Sequence, residues 1–593
     1  MNPFEYYSGQ LSVKETRANT LQKQINNLST LRLLSGCVLL VIVYFAFKYD
    51  TAPFWLAVTG SFIAFLYTVK RHGGFKDKHK LVLLNIKLLK DELQAVEGNH
   101  SAFLAGKELM DASHPYSYDL DIFGDGSVFQ MLCRSVTHSG YKALAQLLQS
   151  PYASAEEIAQ RQAIVKELSS NPDLLQSFRI TGAAGEEGVK DREHILSWME
   201  LEDSFISKPY LKIASVVVPL AAIVFFVLSI MQGTFHLGLL LVLVANWTIL
   251  GIHSKDIKRN HLLVGRSAKL IDKYDSLLRV IASSDFQNEM LQRCSVAAKK
   301  SLAEIMQFRK LVNLFDSRAN GMVGPLMNSF FLFDIYCLLK LEKWRAQNRQ
   351  LLSAAFDYVD IFDVHASLAT YAFNHPANNY PAINPEQTAI IAKDAKHPLI
   401  SAKAAIGNDA TIGINERFYL LTGANMTGKS TFIRTIGANL VLSYVGVPVP
   451  VAAFTVPLVR IYTAIRISDS VQDDVSYFKA ELNRLQRIMH AIKDETQPYL
   501  ILLDEPLRGT NSTDKQQGTR SIVERLIAHH AIGIVATHDT GLCDLEQTHY
   551  GKISNYHFES RVEQDHLGFD YKLKAGCSTS NNATVLMRLM DII

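Results

Sequence analysis

Three short stretches of this chain carry residues that could do chemistry on a phosphate. Residues 422–431 read TGANMTGKST. The spacing is G-x-x-x-x-G-K-[ST], preceded by an apolar strand-like run, Phe418–Leu421, and followed by a helical run, Thr431–Leu442. In that strand–loop–helix setting the stretch is a phosphate-binding loop. Gly423 and Gly428 let the backbone bend so that the N–H groups from Gly423 through Ala424, Asn425, Met426 and Thr427 to Gly428 point inward at phosphate. Lys429 would neutralise the β- and γ-phosphates and Ser430 would offer a hydroxyl to Mg²⁺. Thr431 begins a helix whose N-terminus adds a favourable dipole. A second apolar strand, Tyr499–Leu503, ends in Asp504-Glu505. Asp504 would hold Mg²⁺ through water, and Glu505 would polarise an attacking water as general base. A third, Gly533–Thr537, ends at His538, placed to sense the γ-phosphate or orient the water. Each acid alone would read as a solvated surface group. The three in this order imply binding and hydrolysis of ATP to ADP and phosphate, with Mg²⁺.

These residues need a sheet to hold them. From about residue 386 apolar strands alternate with helices, which predicts an α/β P-loop domain on a parallel sheet over 386–593. Upstream the chain reads as mostly helical: a core over 113–208 with turns at Gly124-Asp125-Gly126 and Ser150-Pro151, and a core and lever region over 255–385. Residues 73–112 read as a linker helix, with Leu81, Leu84, Leu88 and Leu89 at helical spacing, and then a polar stretch.

Four charge-free apolar runs interrupt this pattern: Leu33–Phe47, Ala52–Val69, Ile213–Met231 and Phe235–Ile252. The connectors Lys48–Thr51 and Gln232–Thr234 are very short, so the runs pair into two helical hairpins, one within 1–72 and one within 209–254. About 20 apolar residues span a bilayer. Basic residues crowd the outer ends: Arg17, Lys23, Arg32, Lys70 and Arg71 around the first, Lys208, Lys212, Lys255, Lys258 and Arg259 around the second. The positive-inside rule then places those ends, the core and the ATPase domain in the cytoplasm, in a multi-pass protein of the inner or cytoplasmic membrane. Core helices of a soluble protein would usually keep a polar face.

Bulk properties add limits. At 593 residues the chain is too long for one core, and its net charge of +3 is no global signature of a nucleic-acid binder. Six cysteines, at 37, 133, 294, 337, 543 and 577, form no C-x-x-C pair. That spacing suits a reducing compartment and argues against structural zinc. The first thirty residues show no signal-peptide pattern.

The details of the loop go further. G-x-N-M-x-G-K-S-T with Arg434 resembles the P-loop of the MutS family of DNA mismatch repair ATPases. His397-Pro398 and Asn408-Asp409, the Asp504-Glu505-x-x-Arg508-Gly509-Thr510-x-x-x-Asp514 segment, Ala536-Thr537-His538 and the region of Tyr571 and Gly576 are similar to that family's further motifs. Leu120–Phe123, Gly126-Ser127, the Thr137/Gly140 turn, Pro151 and Ile158-x-x-Arg161 resemble the start of its helical core. The resemblance covers 114–170 and 390–593. It implies an ABC-like ATPase fold, a homodimer with composite sites, Tyr571 as an adenine-stacking residue, and DNA as a partner. The chain also departs from the family. Residues 1–113 hold a hairpin and a linker with no Phe-x-Glu wedge, and Asp473-Asp474 stand in the loop expected to reach across the dimer. Two carboxylates there would repel a γ-phosphate unless Mg²⁺ or a basic residue intervened. Three loads follow: DNA, in mismatch repair or a related process; a membrane or protein partner remodelled without DNA; or an exported solute. DDVSYFKAELNRL before the acidic strand has no L-S-G-G-Q-like segment, which disfavours the exporter.

Overall fold

The computed structural model describes residues 2–233, 235–264, 268–319, 321, 323–413, 417–424, 426–466, 477–494, 498–563 and 566–578. The chain divides into two units, one of Met1–Arg134, Leu144–Ser170 and Ser367–Ile593, the other of Ser135–Ala143 and Asn171–Ala366.

Helix α1 (Pro3–Tyr49) starts where the Asn2 side chain accepts from Phe4 N–H, with proline at its first position. Asp50, in the left-handed region, turns the chain into α2 (Ala52–Val96). Each helix is ~70 Å long. The pair buries most of its seam at its base, where Tyr7, Ala18, Leu21 and Ile25 of α1 and Leu88, Leu89 and Ala95 of α2 are covered, while higher up only Ala46, Thr68 and His72 are. Toward the turn the same helices expose Leu33, Val38, Leu40, Phe47, Leu56, Ile63 and Leu66. The expected boundary at residue 72 therefore falls inside one unbroken helix. What reads as a linker helix is the lower half of α2. A buried network fixes the base. The Arg134 Nε lies 2.6 Å from Glu92 Oε1, Asn374 Nδ2 donates to Glu92 Oε2 (2.8 Å), and the Tyr7 hydroxyl donates to Asn374 Oδ1 (2.9 Å).

The helical region continues with α3 (Val128–Leu132), α4 (His138–Gln149), α5 (Ala155–Ser169), α6 (Pro172–Ala184) and α7 (Asp191–Met199). Then come α8 (Pro209–Gln232), α9 (His236–Ile252), α10 (Ser254–Val264), α11 (Ala268–Ala282), α12 (Glu289–Asp316), α13 (Val323–Phe331) and α14 (Phe333–Asn374). In the second unit Trp198, Phe308 and Trp344 form a buried stack with centroids 5.5 and 4.3 Å apart. Buried Glu342 accepts from the backbone N–H groups of Phe205 and Ile206, both at 2.9 Å, just before α8. Helices α8 and α9 form the second apolar hairpin, with Ile213, Val217, Leu220, Val224, Leu237, Leu241 and Val244 exposed. Within the helical core and lever region expected over 255–385, α13 is a short apolar helix seated on this hairpin. Trp247 Nε1 donates to Ser329 Oγ (3.1 Å), and the Phe226 and Phe330 rings meet edge to face. By length and composition α1, α2 and α8 are each sufficient to cross a membrane, and α9 qualifies jointly with α10 across a 64° bend.

The C-terminal region holds two sheets. The smaller has the order β1 (Ala382–Ile383), β5 (Ala453–Val456), β2 (Ile390–Ala395), β3 (Asn408–Ile412). The larger has the order β10 (His566–Ala575), β9 (Ile553–Glu563), β4 (Phe418–Thr422), β8 (Ile532–Ala536), β7 (Tyr499–Asp504), β6 (Arg460–Ala464). Helices α15 (Lys429–Val445), α16 (Tyr477–Ala491), α17 (Ser512–Ala528) and α18 (Leu545–Thr548) accompany it. Strands β4, β7 and β8 are buried at every position, as fits parallel strands covered on both faces. The parallel expectation holds from β9 to β6. It fails at the edge, where β10 is antiparallel to β9, and in the smaller sheet, where β2 is antiparallel to β3 and β5.

Part of the expected helical core belongs with this region. Asp119, fully buried, accepts from Thr463 Oγ1 (2.6 Å), the backbone N–H of Ile465 and of Arg466, and Arg484 Nη2 (2.9 Å). Arg161 Nη1 donates to Tyr444 O (2.8 Å), placing a cation where the last carbonyls of α15 lack partners. The cysteine reading also needs correction. Cys543 and Cys577 form a disulfide with Cα atoms 6.5 Å apart, because the β9–β10 hairpin brings back a chain segment 34 positions further on. Their linear spacing hides this.

Candidate nucleotide site

The C-terminal ends of β4, β8 and β7 are neighbours, so the three chemical stretches meet at one edge of the sheet. That edge is where open α/β sheets bind ligands. Gly423 (φ 136°) and Gly428 (φ 108°) both lie in the left-handed region. At Gly423 a Cβ would fall 2.7 Å from Phe558 O. Met426 also has a positive φ, 67°, and is 78% exposed at the loop tip. Asn425 lies outside the described residues, as do Asp473 and Asp474. Thr427 is buried and turns back on the loop, donating to Ala424 O at 2.8 Å.

Lys429 is buried and donates to two carbonyls of its own loop, Gly423 O at 2.7 Å and Ala424 O at 2.9 Å. Burial lowers its pKa to about 8, against the opposing pull of Glu505 and Asp504. Ser430 Oγ donates to Asp504 Oδ2 at 2.6 Å. The other carboxylate oxygen, Asp504 Oδ1, is buried and has no hydrogen-bond partner among the described residues. A hydroxyl and an unmet carboxylate oxygen side by side fit Mg²⁺, which takes one or two protein groups and fills its shell with water and phosphate. Among the described residues no cluster of three or more His, Cys, Asp or Glu could hold a metal.

Glu505 sits one residue on, with φ 50° and its N–H donating to Ala536 O at 2.8 Å. Its Oε1 lies 2.5 Å from His538 Nε2, and its Oε2 lies 3.3 Å from Arg508 Nε and 4.0 Å from Lys515 Nζ. Burial pushes the carboxyl pKa up, but His538, Arg508 and Lys515 outweigh it and hold the group at about 2. His538 Nδ1 meets Gly423 O at 2.8 Å. The ring thus spans the gap between the Glu505 carboxylate and the loop backbone. Glu505, His538 and the phosphate loop are tied together.

Beside the loop is a cavity of about 250 Å³, lined by His397, Ile406, Asn408, Gly428, Phe558 and Tyr571 among others. Thr431 faces it from the first turn of α15. This is just under the ~300 Å³ at which ligand pockets begin, a size for a base more than for a whole nucleotide. Tyr571 has φ 49° and stands over Gly428, where a Cβ would come within 3.1 Å of its ring. Asn408 fixes it: Nδ2 donates to Tyr571 O (3.0 Å) and Oδ1 accepts from Leu573 N–H (2.8 Å). Burial lowers the His397 pKa to about 4, leaving a neutral ring in the cavity wall.

One residue of this site escaped sequence reading. Glu481 on α16 is buried and accepts from Leu507 N–H at 2.6 Å, two residues beyond Glu505. Its Oε2 has no partner among the described residues. Leu507 has φ 63°, so the turn after the acidic pair is strained at a branched residue and held from α16. Burial raises the Glu481 pKa against the pull of these contacts. The available signal was a carboxylate in an apolar stripe with Leu485 and Ile488, on one helix face.

Known proteins agree with this geometry. Residues 419–590 match the family model of MutS domain V. The chain is 26% identical over 341 residues to MutS protein homolog 4 of Mus musculus, covering 54% of this chain and 35% of that one. It is 30% identical over 253 residues to DNA mismatch repair protein MutS 2 of Halobacterium salinarum (42% and 28% covered). It is 33% identical over 295 residues to DNA mismatch repair protein MutS of Sorangium cellulosum (48% and 30% covered). The chain thus spans about a third of the length of these relatives. Residues 419–590 thus match MutS domain V, an ABC-like ATPase domain, and the chain is similar to MutS proteins over about half its length.

Proposed function

We propose that this chain is a membrane-anchored, Mg²⁺-dependent ATPase that works on DNA as a homodimer joined through its ATPase domains. The observation that carries the ATPase reading is the meeting of Lys429, Ser430 with Asp504, and Glu505 with His538 at the ends of three adjacent strands. Lys429 turns from the loop carbonyls to the β- and γ-phosphates of ATP. Ser430 and Asp504 would hold Mg²⁺, which would supply charge neutralisation on the phosphate oxygens. Glu505, once released by His538, accepts a proton from the attacking water. Tyr571 stacks on the base, and Asn408 keeps its strand in place.

Two observations support the membrane reading: the charge-free stretches 33–47, 52–69, 213–231 and 235–252 keep their apolar side chains exposed, and basic residues flank them. The relatives named as DNA mismatch repair proteins support DNA as the load. A second reading, ATP-driven work on a membrane or protein partner without DNA, is favoured by the apolar hairpins themselves. The test is retention of mismatched or branched duplex by the detergent-purified full chain, with and without ATP. It should be run at low salt, where phosphate contacts are strongest. ATP-dependent retention is the expected result. Loss of all retention with ATP turnover intact would remove DNA and leave the second reading.

A further inference from the structure

We infer a phospholipid headgroup site at the bend between α9 and α10, taking a phosphodiester whose headgroup also carries a hydrogen-bond donor. It rests on reading α8 and α9 as a membrane hairpin. A cavity of about 300 Å³ opens at this bend, lined by Trp247, Lys258, Arg318, Asn328 and Asp334 among others. Three independent features define its ligand.

The first is position. Helix α9 carries no charge, whereas α10 exposes Lys255, Lys258 and Arg259 immediately after the 64° bend. Such a change marks the passage from hydrocarbon to water, the level at which headgroups lie. Trp247, half exposed with its indole N–H on Ser329 Oγ, is the amphipathic ring that favours this level.

The second is charge. Lys258 and Arg318 bring two cations to the cavity wall and Asp334 brings one anion. The nearby acids Asp256 and Asp316 are not among the residues that line it. The lining is therefore one positive charge in excess, the complement of one phosphodiester.

The third is an unmet acceptor. Asp334 is buried at the start of α14, with Oδ2 on Arg318 Nη2 at 3.1 Å and its N–H donating to Asn328 Oδ1 at 2.9 Å. Its Oδ1 is buried without a partner among the described residues, and the residue lines the cavity. A buried carboxylate oxygen left unmet is costly, so a ligand that donates to it is selected. The ammonium of an ethanolamine headgroup donates there, as does a hydroxyl of a glycerol headgroup. The trimethylammonium of choline has no N–H to give.

The test is lipid retention by the delipidated full chain in detergent, titrated separately with phosphatidylethanolamine, phosphatidylglycerol and phosphatidylcholine and read by native mass spectrometry. One molecule of a donor-bearing lipid should be held at least about tenfold more tightly than phosphatidylcholine. The order of the first two lipids identifies the source. Asp334→Asn should erase the preference over choline. Lys258→Ala, at an exposed position, should weaken all three lipids together. Flotation with vesicles runs in parallel. A chain that floats yet holds the three lipids equally, or whose Lys258→Ala variant binds unchanged, overturns the site and leaves the membrane reading standing. A chain that fails to float removes both.

Discussion

His538 bridges the two halves of the hydrolytic site: its Nε2 lies 2.5 Å from Glu505 Oε1 while its Nδ1 meets Gly423 O at 2.8 Å. In this conformation the carboxylate proposed as the base is occupied by an imidazole and poorly basic, so under that proposal hydrolysis follows its release. Glu505→Gln is expected to keep ATP binding and lower turnover by roughly 10²–10⁴-fold, the usual worth of a general base. Trapped dimers should accumulate with ATP. Nucleotide titration, single-turnover hydrolysis and light scattering read the three effects. Normal turnover in this variant would remove Glu505 from the role of base.

Lys429 supplies a pH dependence of opposite origin. Below about 8 it carries its proton; above, burial strips the proton away. Phosphate binds the charged form, so ATP affinity should fall as pH rises through about 8, with one proton taken up per ATP bound on the alkaline side. Lys429→Arg keeps the charge and should flatten the slope, and Lys429→Ala should abolish binding. Calorimetric titrations from neutral to alkaline pH, in buffers of different ionisation enthalpy, measure this proton uptake.

Glu481 acts through the turn that carries Glu505. Removing its hydrogen bond to Leu507 leaves a strained buried turn unsupported. Glu481→Ala should lower kcat by about tenfold, from a lost buried hydrogen bond to that turn. The KM for ATP should stay nearly fixed. Glu481→Gln, which retains an acceptor, should recover most of the rate. A rise in KM with unchanged kcat would refute this positioning role.

At the base of the α1–α2 pair, the Glu92–Arg134 ion pair is nearly inaccessible to solvent. Glu92→Ala should destabilise the chain by roughly 3–5 kcal/mol, because it strands a buried guanidinium. Glu92→Leu combined with Arg134→Met should recover much of that loss. Chemical denaturation of the three variants checks the order.

What the sequence disclosed followed physical locality. Gly423, Gly428, Lys429 and Ser430 work within one loop, and Asp504 and His538 end apolar strands, so spacing alone located them. Glu481 acts on a backbone 26 residues away, and Cys543 meets Cys577 only because β10 doubles back on β9. Neither contact leaves a local pattern. The four apolar runs were legible as runs, but the buried seam beneath the first hairpin was not. Tyr7, Leu21 and Ile25 are sparse among polar neighbours, and their partners on α2 lie some sixty or more residues along the chain. α13 does not stand out in the sequence because a nine-residue helix broken by Asn328 and Ser329 is too short an apolar run against a helical background.

The rigid foot of that first hairpin has an implication for assembly. Tyr7, Glu92, Arg134 and Asn374 lock α1 and α2 to the body that carries the ATPase domain, so the hairpin cannot swivel freely beneath it. With the apolar tip held in a bilayer, each copy would diffuse in two dimensions with its rotational freedom already restricted. Much of the orientational entropy normally lost on pairing would then be absent from the association step. Copies in one membrane would meet at a high effective concentration. Dimerisation would therefore respond to surface density in the membrane more than to the total amount of protein.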